Sequence, residues 1–212
     1  MILSFLSQKG GVGKSTLARL VAVEAARGGW QAMIVDLDAA QGTAHKWQQR
    51  RRDAWIKPDV AVTVHRTAAR ALAQPIACDL AIYDGPAQAE RSAPALARAS
   101  DLVVLPASYS FDDLEPQVRV AHELERAGVA PARIRIALTR VRGSAVEGGD
   151  VRAYIREAGL AAFAAELRDL PSIRLAHMAG RAASEVPHPR VADEARALAH
   201  EIATTLTEAS HA

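Results

Sequence analysis

Six short aliphatic runs punctuate the chain: "ILSFLS" (2–7), "AMIVDL" (32–37), "VAVTVH" (60–65), "DLAIYD" (79–84), "DLVVLP" (101–106) and "IRIALT" (134–139). Most are continuously apolar rather than alternating, the pattern of strands buried on both faces. Between them, residues 15–28, 43–52, 88–99 and 112–127 are longer Ala-, Leu- and Arg-rich segments that read as helices. Strand and helix in alternation predict an α/β fold, a mostly parallel β-sheet flanked by helices on both faces in a three-layer sandwich. Half the residues are hydrophobic but only 4% are aromatic, so the core has to be assembled from Ala, Val, Leu and Ile. The 212 residues are enough for one such domain spanning 1–212.

Local signals refine this outline. Ser15 and Thr16 open the first helix and Gly28-Gly29 close it, while Asp112 and Asp113 precede the helix that ends near Gly128. From Arg190 onward, Val191, Ala195, Leu198, Ile202 and Leu206 recur every three or four residues, the stripe of a terminal amphipathic helix. The segment "RVRGSAVEGGD" (140–150), with three glycines, is expected to be a flexible loop.

Composition excludes several classes. The formal charge of +2 predicts no nucleic-acid affinity by itself. Only four of the 26 basic residues are Lys; Arg is the better phosphate fork, but an Arg and Ala excess is also what a GC-rich genome produces. Cys78 is the only cysteine, which leaves no internal disulfide and no thiolate-rich metal or iron–sulfur site within one chain. The seven histidines show no metal-ligand spacing. The N-terminal apolar run, residues 2–6, is too short for a signal peptide, and no stretch approaches the roughly 20 residues of a membrane span. The expectation is a soluble cytoplasmic protein.

The stretch "LSQKGGVGKSTL" (6–17) follows one apolar run and opens a helix, the context that a phosphate loop requires. Its glycines let backbone N–H groups turn inward around phosphate oxygens, and the helix N-terminus adds positive potential. Gly10, Gly11, Val12, Gly13, Lys14, Ser15 and Thr16 are therefore the expected nucleotide cradle, Lys14 for the β- and γ-phosphates and the Ser15 hydroxyl for Mg²⁺. Such a site also needs carboxylates at neighbouring strand ends. Asp84 ends "LAIYD" and would hold a water of the Mg²⁺ shell. Asp36 ends "AMIVD" and could serve the metal directly or through water. Asp38, in the loop beyond, could orient the attacking water. Gln8 stands where an ordinary phosphate loop has its first glycine, and Lys9 is a second lysine that phosphate binding alone does not explain.

"KGGVGKST" resembles the deviant Walker A motif of the ParA/MinD family of ATPases, in which a signature lysine precedes two glycines. "VDLDAAQG" (35–42) is similar to the family's "DxDPQG", with Ala40 for its proline, and "IYDGPA" (82–87) to its Walker B region. "VLPASYSFDDL" (104–114) is similar to "PxxPSxxDL", with Tyr109 for the second proline, and "LPSIRLAHMAG" (170–180) to "IPxxxRLxEA". The resemblance implies a P-loop NTPase that uses ATP and Mg²⁺. It implies that Lys9 reaches across an ATP-dependent nucleotide-sandwich homodimer to the partner's phosphates, that Asp38 supports hydrolysis, and that Arg140 and Pro171 lie near adenine. Lys9, Lys14 and Asp38 are thus the expected catalytic residues.

Within that family the end "IATTLTEASHA" lacks the Lys and bulky apolar residues of a membrane-binding tail, so no membrane partner is expected. Cysteine-bearing cluster carriers do not fit, and with a phosphate loop beginning at residue 8 no N-terminal helix-turn-helix domain is expected. The compact ParA-like partition type remains. It implies nonspecific DNA binding, nucleoid association when ATP-bound, and release by a ParB-like or other small stimulating partner protein. Arg50, Arg51 and Arg52 beside Trp47 are either a phosphate patch or a solvated helix end; Arg168, Arg174, Arg181, Arg190 and Arg196 form a second candidate surface. A biosynthetic phosphoryl-transfer enzyme of the same fold, or a regulator of conjugation or motility, stays open as an alternative.

Overall fold

The computed structural model describes residues 1–75, 77–85 and 93–211. Among them, seven strands form one sheet: β1 (Ile2–Phe5), β2 (Ala32–Asp36), β3 (Ala61–Val64), β4 (Leu80–Asp84), β5 (Leu102–Ala107), β6 (Ile134–Val141) and β7 (Leu167–Arg168). Their order is β3-β2-β4-β1-β5-β6-β7, and every neighbouring pair is parallel. The helices are α1 (Lys14–Arg27), α2 (Thr43–Asp53), α3 (Ala68–Leu72), α4 (Ala93–Ala99), α5 (Phe111–Arg126), α6 (Ala145–Glu157), α7 (Pro171–Met178) and α8 (Pro189–Ser210). Residues 88–92 of the helix expected over 88–99 lie outside the described residues.

The unbroken apolar runs have a simple cause. Alternate residues of each central strand feed two different cores. Leu3, Phe5, Ile82 and Val104 join Leu17 of α1 and Leu198 of α8 on one face. Leu6, Tyr83, Val103 and Leu105 join Leu114 of α5 and Ile155 of α6 on the other. The sheet is therefore covered on both sides, as the runs predict. From β1 the chain crosses one face to reach β2, and from β5 it crosses the other to reach β6. Oppositely directed right-handed crossovers of this kind open a crevice at the C-terminal ends of the central strands.

The flexible loop expected over 140–150 is a correction, because its second half is the first turns of α6. Ser144 and Glu147 form a reciprocal capping box: the Ser144 hydroxyl accepts from the Glu147 amide and the Glu147 carboxylate accepts from the Ser144 amide, at 3.3 and 2.8 Å. Gly148 serves packing rather than freedom, since a Cβ there would sit 2.5 Å from the Tyr109 hydroxyl. Also beyond the sequence expectation are the two-residue strand β7, the short helix α3 and α7, which Pro171 opens at its first turn.

Candidate nucleotide site

The C-terminal ends of β1, β2, β4 and β6 bring the motifs together. After β1 the chain makes the glycine-rich turn and enters α1 with Gly13 as its N-cap in the left-handed region, φ 107°. Glycine is required there twice over: a Cβ would lie 2.8 Å from Thr139 Cγ2, two residues before the end of β6, and the backbone conformation disfavours any side chain. Val12 is buried and pins the turn, whereas Gly10 and Gly11 are exposed. Lys14 is buried and its ammonium donates to the Lys9 carbonyl at 3.2 Å. Burial lowers its pKa, and Asp84 and Asp38 oppose that shift.

Asp84 is buried to 3% exposure, and its Oδ1 has no hydrogen-bond partner among the described residues. Burial, against a lowering contact from the Ser15 hydroxyl and with help from Asp36, drives its pKa up to about 6. An orphaned carboxylate oxygen beside Ser15 and Lys14 fits a Mg²⁺ ion or a water of its shell, and proton loss would accompany binding. Asp36 plays a different part. Its two oxygens accept the Asp38 and Ala44 amides at 2.9 and 3.1 Å, so it clamps the loop that carries Asp38 to the start of α2. Asp38 is half-buried and accepts from the Gln41 amide at 3.1 Å.

Lys9 points the other way. Its ammonium, half exposed, donates to Asp113 Oδ1 at 2.5 Å and to the Asp112 carbonyl at 3.4 Å on α5 of its own chain. Gln8 reaches Glu123 on the same helix at 3.2 Å. Arg140, at φ 55°, donates to the Gly11 carbonyl and so touches the loop directly.

A cleft of about 390 Å³ runs from Gly11, Gly13, Lys14, Ser15 and Thr16 past Thr139 and Arg140 to α7. There Leu170, Ile173, Arg174 and His177 form its far wall, while Pro171 only starts the helix and does not line the cleft. Sequence reasoning missed Thr139, Asp113, Asp169 and His177. Asp169, at the end of β7, gathers Arg142, Arg174 and Arg140 at 2.7, 3.6 and 3.8 Å. His177 Nε2 is buried without a partner among the described residues, and burial, then Arg19 and Arg50, push its pKa down to about 3. It is a neutral imidazole. Thr139 ends the run 134–139, Asp113 lies in the helix expected over 112–127 and His177 in the segment 170–180, so their positions were legible and their partners were not; Asp169 lies in a segment with no expected element.

The arginine surfaces resolve differently from each other. Arg51 is fully buried, so the triplet beside Trp47 is no continuous patch; Arg52 pairs with Asp59 at 3.1 Å, and Arg50 is exposed. In the second group Arg168 and Arg190 share Glu194, and Arg196 pairs with Asp193. Arg50 and Arg181 have no ion pair among the described residues, and both flank α7.

Comparison with known proteins shows the family and the fold. The profile of the CobQ/CobB/MinD/ParA nucleotide binding domain matches residues 3–178. Among solved structures, MinD of Aquifex aeolicus superposes with TM-score 0.73 at 15% identity, over 96% of this chain and 97% of that one. MinD of Pyrococcus horikoshii OT3, solved with Mg-ADP, gives 0.69 at 20% identity over 95% of each chain. The Cyanothece McdA–ATP complex gives 0.71 at 16% identity over 95% and 96%. At these identities the likeness concerns the fold. A search of curated protein sequences finds no match. No helix of the described residues is long and apolar enough to cross a membrane.

Proposed function

This chain belongs to the CobQ/CobB/MinD/ParA nucleotide-binding domain family, and on that premise we propose that it is a ParA-type ATPase. It dimerises on ATP, binds DNA without sequence preference, positions a plasmid, chromosome region or protein cargo, and lets go when a small partner stimulates hydrolysis. The observation that carries this reading is the division of labour between the two lysines. Lys14 is drawn into the cradle beside Asp84, whereas Lys9 is turned out to the exposed side.

The residues act as follows. Bound Mg-ATP supplies the scissile anhydride and the metal's Lewis acidity. Lys14 leaves the Lys9 carbonyl to hold phosphate oxygens, and the amides from Gly11 to Thr16 cradle them. Ser15 and Asp84 would hold the cation or its water. Asp36 keeps Asp38 at a fixed height, and Asp38 orients the attacking water. Lys9 exchanges Asp113 for the phosphates of the second subunit. Two polyanionic faces approach only when cations lie between them, so the ATP-bound dimer depends on Lys9, and Lys9 has a phosphate to meet across it only when ATP is bound. The exposed arginines around Asp169, with Arg50 and Arg181, support contact with DNA phosphates.

Retention of the protein on nonspecific duplex DNA tests the proposal. It should need ATP and fall steeply between 50 and 200 mM salt, by about 10³-fold if some six phosphates are contacted. Retention that ignores ATP, or none at low salt, counts against it. Asp38→Ala should accumulate the ATP dimer on DNA; rapid hydrolysis by that variant removes Asp38 from the scheme. Turnover above about 1 s⁻¹ without DNA would instead favour a biosynthetic phosphoryl-transfer enzyme.

A further inference from the structure

The arginine that the surface lost has a second life inside the molecule. Arg51 is wholly buried and almost fully satisfied. It donates to the Pro58 carbonyl at 2.8 Å, to the Gly180 carbonyl at 3.1 Å, and through both terminal nitrogens to Glu185 at 2.6 and 3.0 Å. Its guanidinium also lies 5.5 Å from the Trp47 ring, and the buried Arg19 of α1 lies 5.7 Å from the same ring. The Trp47 indole donates to the Arg181 carbonyl at 3.0 Å. Gly180 packs so closely on α2 that a Cβ would come within 2.7 Å of Arg51 Cα and 2.8 Å of the Arg50 carbonyl carbon. A buried ion pair of this kind costs desolvation that an apolar pair would avoid, and its best-attested use is to fix a unique arrangement.

What it fixes is visible at the two ends of the joined unit. At one end, the first turn of α2 is bonded to Asp36 through the Ala44 amide, and Asp36 in turn holds the Asp38 amide. At the other end, the segment gripped by Arg51 follows directly from α7, whose Ile173, Arg174 and His177 wall the cleft. The Asp38 loop and the far wall of the cleft are thus parts of one clamped body.

We propose that Arg51, with Glu185, is a positioning residue: it locks α2 to the segment following α7 so that the Asp38 loop is held in register with the wall of the nucleotide cleft. Arg51 touches neither loop nor cleft and acts through α2. The inference rests on the ATPase reading only for its kinetic consequence; the positional claim concerns the nucleotide-free chain as well.

The test compares wild type, Arg51→Lys, and the apolar pair Arg51→Met with Glu185→Leu. The double variant removes both buried charges together, although Glu185 also accepts from Arg27 and from the Ala182 amide at 2.9 and 2.8 Å, so its urea midpoint is compared with wild type before exchange is read. Hydrogen exchange of the nucleotide-free proteins should then show amides 37–44 exchanging about tenfold faster in both variants, with β1 and β4 unchanged. With ATP and DNA, kcat should fall about tenfold or more while KM for ATP changes less than threefold. Should the stable double variant show wild-type exchange at 37–44, the proposal is overturned. Should the wild type fail to hydrolyse ATP while the exchange difference persists, the ATPase reading falls and the positional role of Arg51 stands. If the double variant does not fold, Arg51→Lys, which keeps the charge but loses the fork, carries the same exchange comparison.

Discussion

Lys9 Nζ lies 2.5 Å from Asp113 Oδ1, so the lysine expected to serve a second subunit is engaged within its own chain. Burial alone would raise Asp113, but its bonds to Lys9 and Ser108 outweigh that and hold its carboxyl below the usual range. The lysine end is about half exposed, so the pair is worth only a fraction of a kcal/mol. Asp113→Ala should release Lys9 and let the ATP dimer form at about two- to fivefold lower protein concentration. Lys9→Ala should bind ATP yet remain monomeric. Sedimentation velocity with and without ATP reads both, and weaker dimerisation of Asp113→Ala would contradict the assignment.

Gly13→Ala faces two obstacles at once, a left-handed backbone costing about 1–2 kcal/mol and a methyl against Thr139. Nucleotide affinity should fall at least about 100-fold by calorimetry. Adding Thr139→Gly relieves only the contact, so partial recovery is expected; full recovery would mean that the backbone angle is immaterial.

Gly180→Ala tests the close approach of α2 independently of charge. Its φ of 73° and the contact with the backbone of Arg50 and Arg51 should together cost about 3 kcal/mol in urea unfolding. A loss under about 1 kcal/mol would show that α2 can yield there.

His177 gives the protein a pH dependence of defined sign. Its folded pKa, about 3, lies below the ordinary 6.5, so between these values the unfolded chain binds the extra proton. The His177 contribution to stability is therefore complete above about pH 6.5 and declines as pH falls, by up to about 1.4 kcal/mol per unit, until it levels near pH 3. His177→Gln should remove that contribution between pH 6.5 and 5 in denaturant titrations; Asp84, raised to about 6, acts in the opposite sense in both proteins and cancels in the comparison. Parallel curves for the two proteins would remove His177 as the cause.

How much could be read beforehand follows from what each feature depends on. Six strands were visible because burial between two helical layers writes itself as an apolar run; Lys14 and Ser15 were visible because they follow a glycine-rich turn into a helix, and Asp36 and Asp84 because each ends a strand. The 140–150 segment misled because glycine count signals freedom only when nothing packs on the glycines. Nor could the sequence distinguish Arg51 from Arg50 and Arg52: three adjacent arginines on a helix point in three directions, and only the partners Glu185 and Gly180, some 130 residues away, decide which is inside. Asp36 was placed correctly at its strand end, but its two bonds to backbone amides depend on the path of the following loop.

The Tyr109 ring against Gly148 has a consequence for the history of the chain. Position 109 can hold its tyrosine in this place only while position 148, thirty-nine residues on, has no side chain, because even a methyl would meet the phenol oxygen. Tyrosine at 109 therefore fits this packing only while glycine holds 148. A lineage that regains proline at 109 is released from the constraint, and across relatives the two positions should vary as a pair.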